Sequence, residues 1–191
     1  MKKRMLVLGV LGLGSLALPV AVFAEEANPT VELSSQASLT IQAGNLSLDT
    51  VSSFNFGAKS IAEVSQSGEP VKTQDTQTTS VSDFRGPNTV GWQLTAKLSK
   101  LETTDQKQLA NAKMTLIGTE TEGDSTLNAS ANLVAGATDP TVIATANGTT
   151  GLAINTIDFS QTTLTIPKQN VSGGEYKGTI TWILTNSYQA D

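Results

Sequence analysis

Two stretches of the chain alternate apolar and polar residues without a break. In Gly91 to Ser99, Trp92, Leu94, Ala96 and Leu98 fall on one face, and Gln93, Thr95, Lys97 and Ser99 on the other. In Tyr176 to Asn186, Tyr176, Gly178, Ile180, Trp182 and Leu184 share a face, and the opposite one is mainly Thr. Successive side chains of a strand point to opposite sides, so a clean period of two predicts two strands with one buried face each. Shorter alternations occur at Leu39-Ile41-Ala43, Leu46-Leu48, Phe54-Phe56, Met114-Leu116-Gly118, Ala153-Asn155-Ile157 and Leu164-Ile166. Turn-forming clusters separate them: Ser67-Gly68-Glu69-Pro70, Gly86-Pro87-Asn88, Glu122-Gly123-Asp124, Asp139-Pro140, Asn147-Gly148 and Ser172-Gly173-Gly174. Only Glu102 to Ala112 suggests a short helix, with a polar loop as the alternative. The small, polar, Gly-containing stretch from Thr119 to Gly151 reads as long hairpins or an insertion. No period of 20–50 residues recurs, which excludes a solenoid. The expectation is an all-β fold: a single-domain antiparallel β-sandwich with long loops, the two long strands sharing one core.

The N-terminus adds a destination. Lys2, Lys3 and Arg4 precede an almost wholly apolar run from Met5 to Val22, and Val22-Phe23-Ala24 leads to Glu25-Glu26. Basic segment, apolar core and small-residue exit are the parts of a secretory signal peptide. We expect residues 1–24 to be removed and residues 25–191 to form the mature domain, with no stable membrane insertion after cleavage. The run is near the short limit for a bilayer span, and Pro19 interrupts it. Loss of three of the 12 basic residues leaves nine against 17 acidic ones, a net charge of −8. That sign disfavours nucleic acid and anionic lipid as partners.

Catalysis has little to work with. The chain has no His and no Cys, and lacks a Gly-x-Ser-x-Gly elbow, so the usual Ser and Cys nucleophile systems have no general base. Zinc has no soft ligand, and no Asp-x-Asp-x-Asp-Gly calcium loop occurs. Scattered surface carboxylates explain the acids better than a glycosidase pair does. The chain is expected not to be an enzyme and to need no metal and no cofactor.

The two long strands share the core Trp-x-Leu-Thr and hold both tryptophans. Candidate binding residues are therefore Trp92, Gln93, Leu94 and Lys97 in the first, and Trp182, Ile183 and Leu184 in the second. The tryptophans either stack on sugar rings or fill the core. The core is favoured, because each shares its face with Leu, Ile or Ala. Gln93, Thr95, Lys97, Thr181 and Thr185 would then be the exposed contacts. Asp83 and Arg85, two residues apart, are expected to form a surface or edge salt bridge that fixes the turn into Gly91.

These segments resemble the paired Trp-x-Leu motifs of the WxL domain, a surface module of low-GC Gram-positive bacteria. The flanks agree: Asp83-Phe84-Arg85-Gly86 before Gly91-Trp92, Leu164-Thr165-Ile166-Pro167 and a Gly pair before the second motif, and Phe54-Asn55-Phe56-Gly57 upstream. The likeness runs from about Pro29 to Ser187. It implies non-covalent attachment to the cell wall, with peptidoglycan as the usual proposed ligand. The alternatives are assembly with a membrane-anchored WxL-interacting protein bearing immunoglobulin-like domains, and adhesion to host matrix. No Leu-Pro-x-Thr-Gly sorting signal or apolar tail occurs, so the chain is similar to the short, domain-only members.

Overall fold

The computed structural model describes Leu33, residues 35–87 and residues 89–188. The signal-peptide expectation lies outside them. Among the described residues twelve strands and one helix follow in order: β1 (Leu46–Thr50), α1 (Ile61–Gln66), β2 (Val71–Lys72), β3 (Thr78–Asp83), β4 (Gly91–Leu98), β5 (Lys113–Leu116), β6 (Thr119–Glu122), β7 (Thr126–Leu127), β8 (Ala131–Val134), β9 (Thr141–Ala146), β10 (Ala153–Asp158), β11 (Thr163–Thr165) and β12 (Ile180–Tyr188). They form three antiparallel four-stranded sheets, ordered β1-β3-β10-β6, β2-β11-β5-β8 and β12-β4-β9-β7. The expected all-β sandwich is present, built from three sheets.

One apolar core takes side chains from every sheet. Val81 and Ile157 come from the first, Met114, Leu116, Leu133 and Leu164 from the second, and Trp92, Leu94, Leu98 and Ile143 from the third. The two motif strands are neighbours in the third sheet, with Trp182 opposite Ala96 and Leu184 opposite Leu94. Their apolar faces therefore point the same way, into that core.

Several local expectations change. Of the two readings of Glu102 to Ala112, the loop is the one present, with isolated bridges from Glu102 to Gln108 and Lys177. It is pinned by buried Leu101, Leu109 and Ala112. The helix lies instead at α1, where Ser60 and Glu63 form a reciprocal capping box. That satisfies free N–H groups of the first turn and lets a segment with no buried residue hold a helix. Ile41 and Ala43 form no strand, and Leu39 and Ile41 are exposed. Phe54 and Phe56 are also outside any strand, but their rings stack at 6.4 Å. The stretch from Thr119 to Gly151 contains four strands, β6 to β9, which bury Ala131, Leu133, Ile143 and Ala144.

Candidate functional site

The two Trp-x-Leu motifs sit in unlike places. Strand β4 is internal, paired with β12 on one side and β9 on the other. Trp92 and Leu94 are 0% exposed there. The Trp92 indole Nε1–H donates to the Gly151 carbonyl at 3.0 Å, and the Asn155 amide donates to the same oxygen at 2.9 Å. A buried indole N–H needs such a partner. Gly151 itself has φ +69°, and a Cβ there would stand 3.0 Å from the Trp92 ring and 2.3 Å from Ala146 Cβ. Trp92 and Leu94 thus have no surface to offer a ligand. Gly91 is equally constrained, since a Cβ would come within 1.8 Å of the Ala146 carbonyl oxygen.

Strand β12 is an edge. Trp182 and Leu184 are only half-buried, and Ile183 is 36% exposed on the other face. The Trp182 ring leans on Phe159 at 5.8 Å, which in turn meets Phe54 edge-on at 6.5 Å. On the outer face of this sheet the register places Thr181 beside Lys97, Ile183 beside Thr95, and Thr185 beside Gln93. Thr181 and Thr185 are exposed, and Gln93 and Lys97 half-buried. Thr95 was expected to be exposed and is buried instead. Its neighbours on both sides cover it, and its hydroxyl donates to the Ile183 carbonyl at 3.4 Å. The sequence-predicted residues therefore divide. Gln93, Lys97, Trp182, Ile183 and Leu184 keep accessible surface around β12, whereas Trp92 and Leu94 belong to the core.

Beside the free edge of β12 lies an open groove of about 760 Å³. Leu184, Thr185 and Asn186 form one wall, Asn45, Leu46 and Ser47 the other, and Arg85 also lines it. The chain brings these together by a short extension of the β1–β3 ladder. Gly44 N–H donates to the Phe84 carbonyl at 2.7 Å, and Phe84 N–H to the Asn45 carbonyl at 3.0 Å. Gly44 allows that approach, since a Cβ there would be 2.6 Å from Phe84 Cβ.

Arg85 is held rigidly. Its Nε donates to Asp83 Oδ1 at 2.9 Å and its Nη2 to Asp83 Oδ2 at 2.7 Å, with a further bond from Nη2 to the Val90 carbonyl at 3.0 Å. The ion pair ties the loop to the residue before Gly91, as expected, but it is not a surface pair. The Asp83 side chain is 0% exposed and that of Arg85 17%. The guanidinium hydrogen bonds hold the Asp83 carboxyl below the usual carboxylate range, against the opposing effect of burial. The Arg85 pKa is raised by the same bonds. Nearby on β1, hydrogen bonds from the Ser82 and Ser47 hydroxyls lower the Asp49 pKa. The groove was not predicted. Its signals were the Asp-x-Arg-Gly segment and two single asparagines, Asn45 and Asn186, which no linear pattern joins.

Among the described residues no group of three acidic side chains is gathered to hold a metal, and no helix is long and apolar enough to cross a membrane. The family model for the WxL domain, described as surface cell wall-binding, matches residues 22–187. The chain belongs to that family, whose members bind the cell wall at the cell surface. No curated protein and no solved structure matches the chain.

Proposed function

We propose that this protein is exported by its N-terminal signal, cleaved after Ala24, and attached non-covalently to the wall through peptidoglycan. The observation that carries this reading is the exposure of the second motif. Strand β12 presents Ile183, Thr181 and Thr185 with Gln93 and Lys97 on one side, and Leu184 with Arg85 in the groove on the other. Such a surface is hydroxyl- and amide-rich, with apolar spots and the Lys97 ammonium, which suits a polymer of sugars and short peptides. The protein acts by binding and needs no cofactor.

Charge attraction does not drive this contact, since the mature chain is net negative and these walls are rich in phosphate. Pelleting with peptidoglycan stripped of teichoic acid should therefore be unchanged or improved up to about 0.5 M salt, where the Debye length is about 4 Å. Release by salt would instead make a basic patch around Lys97, Lys100, Lys107 and Lys113 the main contact. The free edge of β12 also suits pairing with a strand of another β protein. Stripped walls that fail to bind, with capture by an immunoglobulin-like WxL-interacting protein instead, would replace the peptidoglycan reading with the assembly one.

A further inference from the structure

Resting on the peptidoglycan reading, we propose that the groove beside β12 seats the N-acetyl group of an amino sugar, so that the glycan strand is what the protein grips. The groove combines two kinds of surface. Leu46 and Leu184 are half-buried and apolar, and suit a methyl group. Arg85, Asn45 and Asn186 bring N–H donors to the same space, and suit a carbonyl oxygen. An acetamido group has both halves on adjacent atoms. A plain sugar hydroxyl has no methyl to bury.

The electrostatics separate this ligand from the other polar groups of the wall. Asp83 already neutralises Arg85 through two hydrogen bonds, and Asp49 adds a second carboxylate on β1, one strand away. The field in the groove therefore gives little attraction to an anion, which argues against the carboxylates of a peptide stem. Arg85 still has donors to give. Nε and Nη2 are used on Asp83 and Val90, whereas Nη1 has no hydrogen-bond partner among the described residues. A neutral acceptor fits a guanidinium in that state, and its fixed fork is set before the ligand arrives.

The test uses the exported protein with intact peptidoglycan, with peptidoglycan de-N-acetylated chemically, and with a soluble N-acetylglucosamine tetramer. De-N-acetylation should weaken pelleting at least tenfold, and the tetramer should compete whereas free stem peptides should not. Thr185→Glu, an exposed substitution in the groove wall, should lower binding to a similar degree with an unchanged melting temperature. Arg85→Lys should weaken binding as well, and if that variant fails to fold, Thr185→Glu still decides. Intact walls that do not bind at all would overturn the peptidoglycan reading itself. Intact and de-N-acetylated walls bound equally, or competition by stem peptides, would overturn this inference and leave the wider reading standing.

Discussion

Trp92-Gln93-Leu94 and Trp182-Ile183-Leu184 look like two copies of one device, yet they occupy opposite kinds of place. The first lies in a strand with partners on both sides, its indole 0% exposed and bonded to Gly151. The second lies in a strand with one partner, its indole half-buried and its Leu in the wall of a groove. An apolar face turned inward is common to both. What differs is lateral position, and that decides whether a residue is sealed or reachable. One motif holds the sandwich together, and the other is where, on the reading proposed above, the sandwich meets its ligand.

The largest effect that would sharpen this contrast is on stability. Trp92→Ala removes a fully buried indole and leaves a cavity, with the Gly151 carbonyl held by Asn155 alone, so it should cost about 3–5 kcal/mol. Trp182→Ala removes a half-buried ring and should cost about 1–2 kcal/mol. Urea unfolding of the two variants measures both, and equal costs would break the comparison.

Next comes the ion pair beneath the groove. Arg85→Ala leaves the buried Asp83 carboxylate unpaired, and removing one partner of such a pair costs about 3 kcal/mol or more. Asp83→Asn keeps the shape but not the charge, and should cost less. A loss confined to wall binding, with unfolding unchanged in both variants, would mean that the pair does not hold the loop.

Acid should act on the same region. Asp83 and Asp49 have folded-state pKa values below their ordinary ones, through hydrogen bonds from Arg85 and from Ser82 and Ser47. The unfolded chain then binds more protons over this range, so stability falls as pH drops. Their contribution is complete above the unfolded carboxylate pKa of about 4 and is lost as pH falls through the lower folded values. Melting temperature followed from pH 7 to pH 2 should fall less steeply in Asp83→Asn than in the wild type. The Trp92 indole, by contrast, is held by a backbone carbonyl, which does not titrate.

A smaller effect separates the indoles directly. Iodide should quench the emission of Trp92→Phe, which retains Trp182, more strongly than that of Trp182→Phe, which retains Trp92. Emission from the latter should also lie further to the blue.

Much of this was legible in the chain. The period-two runs gave both long strands within a few residues, and the shared face of Trp, Leu and Ala placed them against one core. The flanking Asp83 and Arg85 announced a turn-fixing pair. Pattern could not say that Asp83 would be buried, because that depends on the strands packed beside it. Nor could it say that Thr95 would be covered, since an internal and an edge strand carry the same alternation. The Leu39-Ile41-Ala43 run alternates as well as β1 does, yet Ile41 and Ala43 form no ladder. Alternation reports compatibility with a strand, and only a neighbour makes one. The capping box at Ser60 and Glu63 was readable by rule, but its six-residue helix buries nothing and leaves no apolar stripe to notice.

The central claim is that Trp182-Ile183-Leu184 meets the wall and the buried Trp92 and Leu94 do not. Ile183→Glu tests it on the outer face of β12, where the side chain is 36% exposed and the change should cost about 1 kcal/mol. Pelleting of this variant with purified peptidoglycan should fall at least tenfold while urea unfolding shows it still folded under the assay conditions. Wild-type pelleting by a folded Ile183→Glu would remove the outer face of β12 from the contact, and wild-type pelleting by Thr185→Glu in the groove wall as well would contradict the account and move the binding surface away from the second motif.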